Sequence, residues 1–182
     1  MPESEQIEET DDALVARWLE GDERAATLLV SRHAPALSRY AASLGPRELV
    51  EELVQDTFVK AFGALDRFRG ESSLRTWLFT ILRRLSMDRA RAERRRGEEE
   101  PLSPVLSDGG YGALDGLVAA ETAARLQEAV GGLTTMQREV FQLRVSDGIS
   151  YREIAEIVGS TEGATRVHYH NALRALKEAL DD

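Results

Sequence analysis

The chain has 182 residues, no cysteine and a formal charge of −9 at pH 7. Neither a disulfide framework nor a thiolate metal site is available. No apolar run approaches the roughly 20 residues that span a bilayer, and the acidic N-terminus lacks the basic-then-apolar pattern of a signal segment, so no membrane insertion and a cytoplasmic protein are expected. The charge is unevenly distributed: residues 1–66 carry −8, residues 67–97 carry +7, residues 98–132 carry −6 and residues 133–182 carry −2. Overall acidity argues against a free-standing nucleic-acid binder, because phosphate neutralisation supplies most non-specific affinity. The local basic block argues for one confined DNA-facing surface, with a partner doing the bulk electrostatic work.

Residues 1–12 hold six acids and no base, a composition expected of a disordered tail that acts as a solubiliser or as an electrostatic decoy. From Ala13 the pattern is helical. Leu14, Val15, Trp18 and Leu19 form a short apolar face ending at Gly21, and Asp22 can cap a second helix. That helix would bury Ala26, Leu29, Val30, His33, Leu37, Tyr40, Ala41 and Leu44. Pro35 lies inside it and is expected to kink or split it. After a Gly45-Pro46 turn, Val50, Leu53, Val54, Thr57, Phe58, Ala61 and Phe62 repeat at helical spacing, opposite a polar face of Glu51, Glu52, Gln55, Asp56 and Lys60. A loop over 65–76 carries Phe68, Arg69 and Arg75. Trp77 then opens a basic helix with Leu78, Ile81, Leu82 and Leu85 on one stripe and Thr80, Arg84, Met87 and Arg91 on another.

Residues 97–112, rich in Pro, Gly, Ser and Glu, have neither helical nor strand period and read as a linker. Residues 113–130 are helical again. Thr134 with Gln137 and Ser150 with Glu153 both have capping-box spacing. Tyr151 to Leu173 has the proportions of a helix-turn-helix, with Ala155 at the crossing and Gly159 in the turn. Such a unit inserts the start of its second helix into the major groove. Arg166 and His168 would then face DNA while Tyr169, Ala172, Leu173 and Leu176 pack inward. Glu162 suits either a cytosine amino group or the helix dipole. His168 and His170, two residues apart, do not share a helix face, so no metal pair is expected. No cofactor is expected either.

The run ELVQDTFVKAF, then RFRGESSLRTWLFTI, then a basic helix containing D-x-x-R strongly resembles region 2 of the sigma-70 family in its extracytoplasmic-function (group IV) form. The block from Leu133 to Glu178 resembles region 4. The resemblance implies an all-α chain of two small helical domains joined by a flexible linker: region 2 over 13–96, the linker over 97–112, and region 4 over 113–182. It implies a sigma factor that binds core RNA polymerase, directs it to a two-part promoter and assists melting without catalysing a reaction. By resemblance, Glu52, Leu53, Gln55, Asp56 and Phe58 dock on the beta-prime coiled coil, and the second block meets the beta flap. Phe68, Arg69, Trp77, Arg83, Arg84, Asp88 and Arg91 serve the minus-ten element, where stacking on aromatics holds unpaired bases. Arg152, Glu162, Gly163, Thr165, Arg166, His168 and His170 serve the minus-thirty-five element. An anti-sigma factor is the implied regulator.

Two departures bear on specificity. Arg84 stands where many relatives carry Asn, and residues 164–171 differ from the common family run, although Arg166 keeps its basic position. Two other classes stand beside this reading. A regulator acting alone through its helix-turn-helix would bind duplex DNA tightly, against the −9 charge; an enzyme would need a nucleophile-base pair, phosphate loop or metal cluster, and none is present in the sequence.

Overall fold

The computed structural model describes residues 9–97, 125–126 and 128–181. Most of the acidic tail, the linker and most of the helix expected over 113–130 lie outside these residues. Helices α1 (Asp11–Leu19), α2 (Glu23–Leu44), α3 (Val50–Phe62) and α4 (Leu74–Arg96) form an N-terminal unit. Helices α5 (Thr135–Val145), α6 (Tyr151–Val158) and α7 (Glu162–Asp181) form a C-terminal unit, together with helical residues 128–131. No strand occurs among the described residues.

The helix starts follow from local chemistry. Thr10, Asp22 and Ser73 each cap a helix by accepting a backbone N–H, satisfying one of the donors that have no intrahelical partner. Both capping boxes form as the spacing predicts. Thr161 adds a cap that the spacing did not reveal, accepting from the Ala164 N–H at 3.2 Å. At the C-terminus of α4, Gly97 adopts φ +77, a left-handed conformation that costs glycine nothing.

Three boundaries differ from expectation. Helix α1 begins at Asp11 rather than Ala13, because Glu9 pairs with Arg17 and Asp11 pairs with Arg32 at 2.7 Å. Helix α4 begins at Leu74, so Trp77 lies one turn inside it, and Leu65–Arg67 form a 3-10 turn within the expected loop. Helix α2 runs unbroken through Pro35. Pro35 is exposed while Ala36, Leu37 and Tyr40 are buried, so the lost hydrogen bond falls on the wet side and packing holds the helix together. Leu19 and Leu173, expected inside, are largely exposed.

The core of the N-terminal unit gathers Leu14, Leu29, Leu37, Tyr40, Val54, Phe58, Leu78 and Leu82. It does not stop at the unit boundary. Val140, Leu143, Ile149, Ile154, Ile157 and Val158 belong to the same apolar cluster, because α5 packs on α2 and α6 packs on α4. A second, smaller cluster of Val130, Leu133, Ala172 and Leu176 closes the far side of the C-terminal unit. Phe79 explains the join. It lies off the stripe of Leu78, Leu82 and Leu85, yet it is buried against Tyr40 with ring centroids 5.1 Å apart. Helix α4 is thus covered by α2, α3 and α6.

His33, on the apolar stripe of α2, is buried with its Nε2 2.9 Å from Asp11 Oδ2. Burial lowers its pKa, partly opposed by the Asp11 carboxylate. The unfolded chain therefore takes up a proton more readily. Stability is full above the unfolded value of about 6.5 and falls as pH drops below it toward the depressed folded value. Urea unfolding between about pH 7 and pH 5 is expected to show this loss, and His33→Gln to flatten it. An unchanged pH slope in the variant would exclude His33 as the source.

Candidate polymerase and nucleic-acid surfaces

Helix α3 presents its polar face to solvent. Glu51, Glu52, Gln55, Asp56 and Lys60 are exposed, with Gln55 Nε2 donating to Glu51 Oε1 at 3.3 Å and Glu52 accepting from Arg89. Leu53 and Phe58, two of the five expected polymerase contacts, are each only 7% exposed and belong to the core. Phe58 stacks on Phe62 at 5.9 Å between centroids. Both fall on the stripe that faces α2 and α4, so their side chains support the helix rather than its free surface. Val59, which the pattern did not single out, is 71% exposed. With Glu52, Gln55 and Asp56 it occupies positions i, i+3, i+4 and i+7 of one acidic stripe with an apolar end. Its signal was its place between Phe58 and Lys60, off the buried stripe.

The residues expected at the minus-ten element separate into three groups. Arg69, Arg84, Asp88 and Arg91 are exposed, with Asp88 and Arg91 3.5 Å apart. Phe68 and Trp77 are half-buried and pack on one another at 5.0 Å, which joins the loop to the first turns of α4. Between the loop and the start of α1 lies an open cleft lined by Asp11, Asp12, Arg32, Gly70 and Ser72. Arg83 stands apart. Its Nε donates to Glu139 Oε1 at 2.5 Å and an Nη donates to Glu139 Oε2 at 3.3 Å, a forked contact that turns it toward α5.

In the helix-turn-helix, α6 and α7 are joined through Gly159, whose φ of +68 closes α6 in the left-handed conformation. The Ser160 N–H then bonds back to the Ala155 carbonyl at 2.9 Å. Helix α7 begins outward: Glu162, Gly163, Arg166 and His170 are exposed on one face, with Val167 beside them. Arg166 pairs with Glu162 at 2.5 Å and its guanidinium lies 5.4 Å from the centroid of the Tyr151 ring. Arg152 is exposed at the start of α6, 3.7 Å from Glu156. His168 is half-buried at the flank of that face. Thr165 departs from expectation: it is fully buried and its hydroxyl donates to the Thr161 carbonyl at 2.9 Å, because its position turns toward the core with Ala172. Among the described residues, no group of three or more His, Asp or Glu side chains is gathered as a metal site. No described helix is long and apolar enough to cross a membrane.

Comparison with known proteins gives two family matches in order along the chain: Sigma-70 region 2 over residues 29–96 and Sigma-70, region 4 over residues 123–176. The ECF RNA polymerase sigma-E factor of Escherichia coli is 31% identical, with 98% of this chain and 95% of that protein covered. Among solved structures, CnrH in complex with the cytosolic domain of CnrY matches with a TM-score of 0.68 at 32% identity, covering 94% of this chain and 97% of that one. The sigma factor RpoE in complex with the anti-sigma factor NepR, from Bartonella quintana, matches with a TM-score of 0.70 at 31% identity, covering 85% and 96% respectively.

The turn gives a direct test of the helix-turn-helix geometry. A Cβ at Gly159 would meet nothing within 4 Å, so the cost of Gly159→Ala is conformational alone. The left-handed backbone is expected to cost about 1 kcal/mol, read as a lowered denaturant midpoint, and Gly159→Asn is expected to cost less. Equal losses in the two variants would point to a steric cause instead.

Proposed function

Because the chain belongs to the sigma-70 family, in its extracytoplasmic-function group, and is an alternative sigma factor directing RNA polymerase to promoters, we propose that three exposed surfaces divide that work. The acidic stripe of Glu52, Gln55, Asp56 and Val59 on α3 meets core polymerase at its beta-prime coiled coil. Charge sets orientation there and Val59 adds apolar area. Leu53 and Phe58 hold the stripe in place from beneath.

The loop residues Phe68 and Arg69 with Trp77, Arg84, Asp88 and Arg91 of α4 take the minus-ten element. Phe68 and Trp77 offer ring faces for unpaired bases, and the arginines offer contacts to phosphate. The outward face of α7, with Arg152 of α6, takes the minus-thirty-five element. Glu162, Gly163, Arg166 and His170 lead, His168 sits at the edge, and Thr165 serves by packing. The observation that carries this reading is the free first turns of α7, presented as a groove-reading helix requires while Ala172 and Leu176 anchor the helix behind them.

The chain acts in the cytoplasm without catalysing a reaction itself, with core polymerase, including its beta flap, and promoter DNA as partners. Its working units are residues 13–96 and 113–182, joined through 97–112. An anti-sigma factor is its regulator, as the partnered state of the similar RpoE supports.

Two measurements test the assignments. Arg166→Ala is expected to lower minus-thirty-five occupancy by about tenfold or more in footprinting, in the range of a lost base contact; unchanged occupancy removes Arg166 from the reading head. Asp56→Arg is expected to weaken binding to core polymerase without DNA while leaving the thermal melt unchanged, since Asp56 is exposed. Unaltered core affinity would move the docking face off α3.

A further inference from the structure

Val167 stands at the crest of α7, on the side turned away from the core. On a helix turning about 100° per residue, it lies roughly 140–180° round from Ala172, Thr165 and Leu176, the side chains that bury this helix. It is 58% exposed, so most of its surface meets solvent.

Its neighbours along α7 leave it uncovered. Gly163, one turn earlier, has no side chain, and a Cβ placed there would meet nothing within 4 Å. Arg166 is drawn back toward the start of the helix, to Glu162 at 2.5 Å, and its guanidinium lies 5.4 Å from the centroid of the Tyr151 ring. Asn171, one turn later, is half-buried and accepts from Arg174 at 3.3 Å. Gly163 and Val167 therefore form a small apolar facet inside the polar face of Glu162, Arg166 and His170.

That facet selects among what a major groove can offer. Base edges there present donors and acceptors, and the one methyl group among them is the 5-methyl of thymine. Valine neither donates nor accepts, so it gains nothing from a phosphate or a polar base edge. Its γ-methyls are held by one strongly preferred χ1 in a helix, so contact costs little side-chain freedom. The bare Cα of Gly163 leaves room for a base edge to come close to them.

We propose that Val167 reads the 5-methyl group of a thymine in the minus-thirty-five element, on the base pair next to the one that Arg166 contacts. This contact rests on the reading of α7 given above, and it adds a base preference that Arg166 alone does not supply. Arg166 answers acceptors, as guanine presents them, whereas Val167 answers a methyl group. Either strand can carry the thymine, since both project their methyl groups into the same groove.

The experiment uses the full chain with core polymerase. This holoenzyme selects duplexes from a randomised pool, and the enriched upstream block is resynthesised with deoxyuridine in place of each thymidine in turn. Each replacement removes one methyl group and leaves every hydrogen-bonding group in place. At one position, beside the base pair whose preference Arg166→Ala relaxes, deoxyuridine is expected to lower occupancy about fourfold, the worth of one buried methyl group. Val167→Ala is expected to show the same loss on the thymidine duplex and to treat the two duplexes alike. Its thermal melt and its affinity for core polymerase without DNA are expected to match the parent. No position sensitive to deoxyuridine, discrimination that survives in Val167→Ala, or a loss of core affinity in that variant would each overturn the proposal. A relaxed preference in Arg166→Ala with no response to deoxyuridine would remove the valine contact alone. Arg166→Ala binding every duplex as the parent does would instead remove the reading of α7 on which the contact rests.

Discussion

The Glu139 carboxylate is the constraint on which the arrangement of the molecule depends. It is the only described acid that receives both a buried phenol and a forked guanidinium from another unit. Burial and the nearby Glu139 charge push the Tyr40 hydroxyl well above its usual pKa, so it remains a donor. Burial of Arg83 is outweighed by Glu139 and its pKa is raised, so it remains charged. A buried pair of this kind adds little net stability over an apolar substitute, since desolvation offsets attraction. Its effect is to fix which surfaces meet and in what register.

From that register the rest follows. With Tyr40 and Arg83 tied to α5, Phe79 closes against Tyr40, and Ile154, Ile157 and Val158 join the core built on Leu78 and Leu82. Helix α4 therefore carries three demands at once: it packs on α3, it receives α6, and it leaves Arg84, Asp88 and Arg91 in solvent. A helix with a single apolar stripe cannot do this. Its sequence, with apolar and basic residues interleaved around much of the circumference, is what such a helix requires.

The packing of the two units covers some surfaces of the molecule and leaves others in solvent. The acidic stripe of α3 and the first turns of α7 are free. Arg83 and the Thr76–Phe79 side of α4 are covered.

The sequence by itself determined the local structure, because helical periodicity, capping boxes and turn glycines act over a few residues. It placed α3, the box at Ser150–Glu153, the turn at Gly159 and the exposed Arg166, and its motif order determined the family. Periodicity put Leu53 and Phe58 on the buried stripe of α3, where they lie, although the family resemblance asked surface contacts of them; Thr165 turned inward and Pro35 failed to divide α2, because their surroundings come from neighbouring elements. Only the tertiary structure decided that Glu139, 99 residues from Tyr40 and 56 from Arg83, would meet them both. Periodicity cannot reveal such a contact, because a charged residue on a helix reads as solvated until a second unit removes the water around it.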